Sequence, residues 1–273
     1  MSINNLLQTA RRNAFWCVDA LRGGKIGRHL EDIRRLTEEA GGSWAVGRKQ
    51  ELLAALLRHA RETTSYYSGK NPSAPLSDYP VVNKTLIRES AERFCSNQFG
   101  PSKRIPVFTS GSTGTPFEVF HSQSKKLRNS ADTITFARLA GFDIGHRVLY
   151  MKIWAKEKMN SPVHYFLQNV VPVDVIQLNA AQLEHILRIL SQDASRFGIV
   201  GYASALELLA KHLDGRPKGD APKNVKSIIA ISESLSDYTK VALRDYFGVT
   251  VVSRYSNQEN GILAQQEING SPR

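Results

Sequence analysis

The chain has 273 residues, 41% of them hydrophobic and 22% charged, with a mean hydropathy of -0.30. That balance excludes a disordered or collagen-like chain, predicts one large globular domain or two small ones, and leaves no run near the ~18 apolar residues of a membrane span. The net charge is +11, weighted toward 1–104, which hold 17 Lys/Arg against 10 Asp/Glu, but the basic residues are scattered and read as a solvated surface, with no specific nucleic-acid module among them.

Taken in chain order, the N-terminus lacks the apolar core of a secretory signal. Residues 4–22 then set Leu6, Leu7, Ala10, Ala14, Val18 and Leu21 at helical spacing among Arg11, Arg12 and Arg22. The expectation is a helix packed on the domain; Phe15 and Trp16 on a basic helix also suit peripheral contact with a membrane surface. Gly23 and Gly24 end it. Helices are predicted at 29–39 and 49–63, the second with Leu52, Leu53, Leu56, Leu57 and Ala60 on one face, and at 84–94 behind the capping residue Asn83. From 105 onward helices and strands alternate. After the β-prone stretches around Val107 and Val119 come a helix at 125–139, a strand at 147–152 and a β-rich run at 170–178. A helix at 180–197, a strand at 198–201 and a helix at 203–213 follow. The last elements are a strand at 225–231, a helix at 235–247 capped by Gly248, and a strand at 250–254. Gly141 reads as an ordinary turn glycine. This order predicts an α/β protein, with a helical region over 1–104 and a mostly parallel sheet with flanking helices over 105–273. Cys17 and Cys95 are far apart and lack metal-ligand spacing, which predicts two reduced thiols and a cytoplasmic location.

The stretch most suggestive of chemistry is Thr109, Ser110, Gly111, Ser112, Thr113, Gly114, Thr115 and Pro116, set between the two β-prone runs. Glycines admit tight turns and close approach of backbone N–H groups to a ligand, and the hydroxyls donate to phosphate oxygens without adding charge. It is not a Walker-type loop, since no lysine follows Gly114 and the next segment reads as a strand rather than a helix. In parallel sheets ligands bind beyond the carboxyl ends of strands. Three segments hold that position: Gly201 to Ser204, then Ser232, Glu233 and Ser234, then Tyr255 to Glu259.

The 109–116 string resembles the phosphate-binding loop of adenylate-forming enzymes, [Ser/Thr]-Ser-Gly-[Ser/Thr]-Thr-Gly-x-Pro. The 255–259 segment is similar to the Tyr-Gly-x-[Ser/Thr]-Glu motif of the same enzymes, with Ser256 replacing the glycine and Gln258 the hydroxyl residue. The 231–235 segment resembles the adenine-pocket loop of phenylacetate-CoA ligases. HARETTSYY, SDYPVVNKTLIRES and GYASALELLA resemble, in the same order, segments of the branch that holds phenylacetate-CoA ligase, coenzyme F390 synthetase and the CapK-type capsular-polysaccharide proteins. The resemblance implies the fold of the large N-terminal domain of these enzymes and an ATP-dependent activation of a small-molecule carboxylate as acyl-AMP, with CoA as a candidate acceptor. It implies phosphate contacts from Thr109 to Thr115, adenine contacts from Ser232, Glu233, Ser234, Tyr255 and Ser256, and Mg2+ held by Glu259.

The resemblance also implies a ribose-binding aspartate, a hinge and a small lid with a catalytic lysine further along, whereas this sequence ends at Arg273. The expectation is therefore a chain without the C-terminal lid, whether a fragment of a longer protein, a naturally shortened one or a divergent binding module, with weak or no adenylation of its own. The competing expectations are a non-catalytic nucleotide-binding or scaffold protein derived from the family, and a basic binder of nucleic acid or membrane surfaces. Tyr150, Trp154 and Tyr202 are candidates to line an acyl pocket.

Overall fold

The computed structural model describes residues 3–109, 117–154 and 161–268. In chain order its elements are α1 (Ile3–Leu21), α2 (Lys25–Glu38), α3 (Ser43–Thr63), α4 (Lys84–Glu89), α5 (Ala91–Phe94), β1 (Ile105–Thr109), β2 (Phe117–His121) and α6 (Gln123–Leu139). They continue with β3 (Arg147–Lys152), α7 (Pro162–Gln168), β4 (Val170–Asp174), α8 (Ala180–Gln192), β5 (Phe197–Tyr202), α9 (Ala203–Leu213), β6 (Val225–Ile231), α10 (Asp237–Phe247), β7 (Val251–Asn257) and β8 (Gly261–Gln265). The chain divides into two compact units, one of 28–131 and one of 1–27 with 132–273.

In the 28–131 unit, β1 and β2 form an antiparallel hairpin with Thr109 opposite Phe117. Asn83 caps α4 as its residue type predicts, its Oδ1 accepting the Leu86 N–H at 2.8 Å. The expected 84–94 helix is broken at Ser90, which leaves helical dihedrals (φ -127°, ψ 30°) and starts α5 afresh. Tyr66 stacks on Phe94 with centroids 4.1 Å apart, and Asp32 accepts from Arg48 at 3.0 Å and Arg128 at 2.7 Å. Those two arginines hold its carboxyl below the usual range against the opposing effect of burial, the largest influence on it.

The other unit carries a six-stranded sheet in the order β4-β3-β5-β6-β7-β8, parallel except for β8. Along a strand successive side chains face opposite ways. Leu149, Met151, Ile199, Ile228, Ala230 and Val251 face one layer, packed with Leu187, Leu190, Leu206, Leu209 and Leu243 of α8, α9 and α10. Ile229 and Val252, on the other face, pack with Ala140, Val200 and Ile231 in a smaller cluster. Both capping residues read from the sequence hold: Asn179 accepts the Gln182 N–H at 3.1 Å, and Gly248 closes α10 at φ 67°.

Three expectations are corrected. Helix α8 stops at Gln192, not 197, because the Asp193 carboxylate turns back to accept the Ser195 N–H at 2.8 Å and pairs with Arg147, leaving Phe197 to open β5. The last strand runs on to Asn257, because β8 supplies an antiparallel partner, so Tyr255 and Ser256 lie within a strand and not after it. The sequence reading also omitted α7, although Ser161 accepts the His164 N–H at its start and Pro162 occupies its first turn.

The packing of α1 is inverted relative to its hydrophobic stripe. Gln8 and Asp19 are its buried residues, at 6% and 7% exposed, while Leu6, Leu7, Val18 and Leu21 face outward. Polar anchors cause this: the Gln8 amide donates to the Arg196 carbonyl at 3.0 Å and accepts the Arg196 N–H, and Asn4 donates to Asp193 at 3.0 Å. The Asp19 carboxylate accepts from the Ile26 and Gly27 amides, both at 3.0 Å. Among the described residues no helix is long and apolar enough to cross a membrane.

The turn into β3 holds a pH-sensitive group. His146 Nδ1 accepts the Asp143 N–H at 3.1 Å, which needs an unprotonated nitrogen. Burial holds the ring's pKa below 6.5, Asp143 opposing. The unfolded chain therefore takes the proton more readily, so this contribution is full above pH about 6.5 and is lost as pH falls below it. Urea unfolding at pH 7.5 and 5.5 should show a smaller acid loss in His146→Asn than in the parent chain; equal losses would remove His146 from the account.

Candidate functional site

Strands β5, β6 and β7 are neighbours and parallel, so their carboxyl ends open on the same edge. The three segments singled out in the sequence leave from that edge. Ser204, in the first turn of α9, donates its N–H to Glu233 Oε2 at 2.9 Å, which ties the loop after β6 to the loop after β5. A carboxylate suits a helix start, where amide donors lack intrahelical partners. Ser232 has φ 73°, a left-handed conformation that costs a non-glycine residue about 1 kcal/mol. Beyond it, Ser236 caps α10 by accepting the Thr239 N–H at 3.2 Å. The loop is therefore short, strained and pinned at both sides.

Tyr255 stands on β7, opposite Ala264 of β8, with its residue 69% exposed. An exposed tyrosine ring at a strand's carboxyl end, one strand over from the Ser232 to Ser234 loop, is a flat surface free to take a planar partner. Ser256 follows across a register shift and is also exposed. Glu259 is half-buried in the turn joining β7 to β8, where the Asn257 side chain accepts the Asn260 N–H at 2.7 Å.

Among the described residues no group of three or more His, Cys, Asp or Glu side chains is placed to hold a metal ion. A lone carboxylate such as Glu259 does not make a protein-only cage. It fits Mg2+ that keeps its waters and is shared with phosphate oxygens, where one or two protein carboxylates suffice.

In the 28–131 unit, Thr109 ends β1 with its Oγ1 buried and, among the described residues, without a hydrogen-bond partner. Ser110, Gly111, Ser112, Thr113, Gly114 and Thr115 lie outside the described residues.

The structure adds residues to the candidates named from the sequence. Lys152 ends β3 with its Nζ 4.2 Å from the Trp154 ring centroid and 4.9 Å from that of Tyr150. Burial lowers the pKa of this ammonium. Arg254, directly before Tyr255, is brought down to about 10 by burial, with the Tyr150 hydroxyl acting the other way. Burial raises Tyr150, assisted by Tyr202 and opposed by Arg254. The only hint in the sequence was a cation at the last position of two β-runs; that the two share a face depends on register.

The helical N-terminal region followed by a mostly parallel, helix-covered sheet is a fold that this chain shares with a solved CoA ligase. In particular the chain is similar to 2-hydroxyisobutyryl-CoA ligase. Against that enzyme in complex with 2-HIB-AMP and CoA in the thioesterification state, the TM-score is 0.59 and the identity 17%, over 82% of this chain and 52% of that one. Against its postadenylation state with 2-HIB-AMP, the values are 0.58 and 16%, over 79% and 49%. No family model matches the chain, and no curated protein does. The chain spans about half the length of these structures.

Proposed function

We propose that this chain is the nucleotide-binding part of an ATP-dependent, AMP-forming ligase of the phenylacetate-CoA ligase and CapK-type branch, working in the cytoplasm on a small carboxylic acid and serving polysaccharide biosynthesis. The observation that carries this reading is the meeting of three strand-end segments at one sheet edge, with the Tyr255 ring exposed beside the Ser232 to Ser234 loop, in a fold shared with an enzyme solved with an acyl-AMP. In the reaction a carboxylate oxygen attacks the α-phosphorus of ATP. The new bond is a mixed carboxylic–phosphoric anhydride, the α–β phosphoanhydride breaks, and pyrophosphate leaves. CoA thiolate then displaces AMP. Thr109 and the hydroxyl-rich string that follows it would hold phosphate oxygens, Tyr255 the base, and Glu259 the Mg2+ that neutralises phosphate charge.

Binding separates these roles without needing turnover. Tyr255→Ala should weaken ATP and AMP alike, by about tenfold, because stacking on a base is worth on the order of 1–3 kcal/mol. Glu259→Gln should weaken ATP with Mg2+ and spare AMP without metal. Calorimetric titration of both variants with both nucleotides, with and without Mg2+, decides the matter. An equal loss for every ligand in Glu259→Gln would indicate misfolding of that variant, and no loss in either variant would contradict the assignment at 255–259.

A further inference from the structure

The sheet face that carries the smaller apolar cluster ends in a row of charge. Residues in register across parallel strands point the same way. Met151, Gly201, Ala230 and Ser253 make one such row. The next residues, Asp174, Lys152, Tyr202, Ile231 and Arg254, form the last row on the opposite face, with the Asp174 carboxylate accepting the Ile176 N–H at 3.2 Å, and Tyr150 lies one row below them on that same face, level with Val200, Ile229 and Val252. Two cations, one carboxylate and two tyrosines thus crown a thin apolar floor of Val200, Ile229 and Val252.

Arg254 is held in place. Its Nε donates to Gln265 Oε1 at 2.9 Å, and the Gln265 amide, 4% exposed as a residue, donates on to the Phe136 carbonyl at 2.7 Å. The guanidinium is oriented while its Nη2 is buried and, among the described residues, makes no hydrogen bond. Lys152 is held by two rings, and Trp154 Nε1 in turn donates to the Tyr150 carbonyl at 3.3 Å. Among the described residues, neither cation has a carboxylate within ion-pair distance. Lys152 has the Asp174 carboxylate beside it in the row but beyond ion-pair distance, and Arg254 has none, and a half-buried positive charge without a counter-charge destabilises a protein on its own. Each is pulled toward its neutral form by burial. An anion seated among them restores the balance, and the guanidinium fork suits a carboxylate. The rings of Tyr150, Trp154 and Tyr202 give a short carbon chain apolar walls.

We propose that Arg254 and Lys152 form a charge-reading subsite for a second carboxylate on the substrate, so that the acid this chain takes is a short dicarboxylate. Arg254 supplies the fork, Lys152 the second charge across Tyr150, and Gln265 is the positioning residue. This inference rests on the ligase reading for its substrate role, and the test keeps the two apart.

The probes are malonate, succinate and glutarate, each paired with the monocarboxylate of equal chain length and titrated into the whole chain in the presence of AMP. At least one dicarboxylate should bind about tenfold or more tightly than its partner, the scale of charge-assisted hydrogen bonds. Arg254→Met and Lys152→Met should erase that advantage and leave monocarboxylate and AMP affinity in place, and Arg254→Lys should retain only part of it. If AMP binds and no dicarboxylate is preferred, the subsite is wrong and the ligase reading stands. If the preference appears and is lost in both variants while AMP does not bind, the subsite stands and the ligase reading falls. If inorganic phosphate, and no dicarboxylate, depends on both cations, the carboxylate assignment is overturned.

Discussion

Gly141→Val should lose about 3 kcal/mol of stability or more, enough to unfold much of the protein in mild denaturant. Gly141 sits at φ +88°, and a Cβ there would lie 2.5 Å from the Lys226 carbonyl oxygen. A left-handed conformation alone costs a side-chain-bearing residue about 1–2 kcal/mol, and the β-branch of valine makes it worse. Backbone atoms cannot rotate out of the way as a flexible side chain can, so the turn between α6 and β3 must shift away from the residue that leads β6 on. In the sequence, Ala140-Gly141-Phe142 looks like a surface turn of no consequence, and a substitution there looks harmless to ligand binding. The structure reverses that: any nucleotide affinity measured on Gly141→Val reports first on folding. A shift of the urea midpoint with an unchanged slope is the expected result. An unchanged midpoint would contradict the close approach.

What was legible in the sequence is local. Asn83, Asn179 and Gly248 act through neighbours a few residues away, and each caps its helix as its type predicts. The β6 run Val225–Ile231 is apolar on both faces because it sits mid-sheet, covered on both sides, and such runs stand out. Strand β8 was also within reach, since Asn260-Gly261 is a hairpin signal, and Gly261 adopts φ 87° there. The direction of α1 was not legible. Its apolar spacing favours packing by Leu6, Leu7 and Val18, but hydrogen bonds from Asn4 and Gln8 to the 193–196 turn, distant in sequence, choose the polar face. The same limit governs the site. Tyr255 and the Ser232 to Ser234 loop were found because both lie near a strand's carboxyl end. Lys152 and Arg254 were missed because their common face is set by the pairing of four strands, which one sequence does not spell out.

The central claim is that the chain binds a nucleotide through the hydroxyl-rich string after β1, and titration of Gly111→Val with ATP and Mg2+ tests it most directly. Gly111 lies in the run Thr109-Ser110-Gly111-Ser112-Thr113-Gly114-Thr115, where backbone amides are to approach phosphate oxygens and a branched side chain would stand in their way. Gly47→Ala is the matched control, since a Cβ at that position in α3 meets nothing within 4 Å and alanine favours the helix. The account predicts that Gly111→Val melts as the parent chain does and binds ATP at least about 100-fold more weakly, the scale of losing several charge-assisted hydrogen bonds, while Gly47→Ala binds as before. Parental ATP affinity in a folded Gly111→Val protein would contradict it.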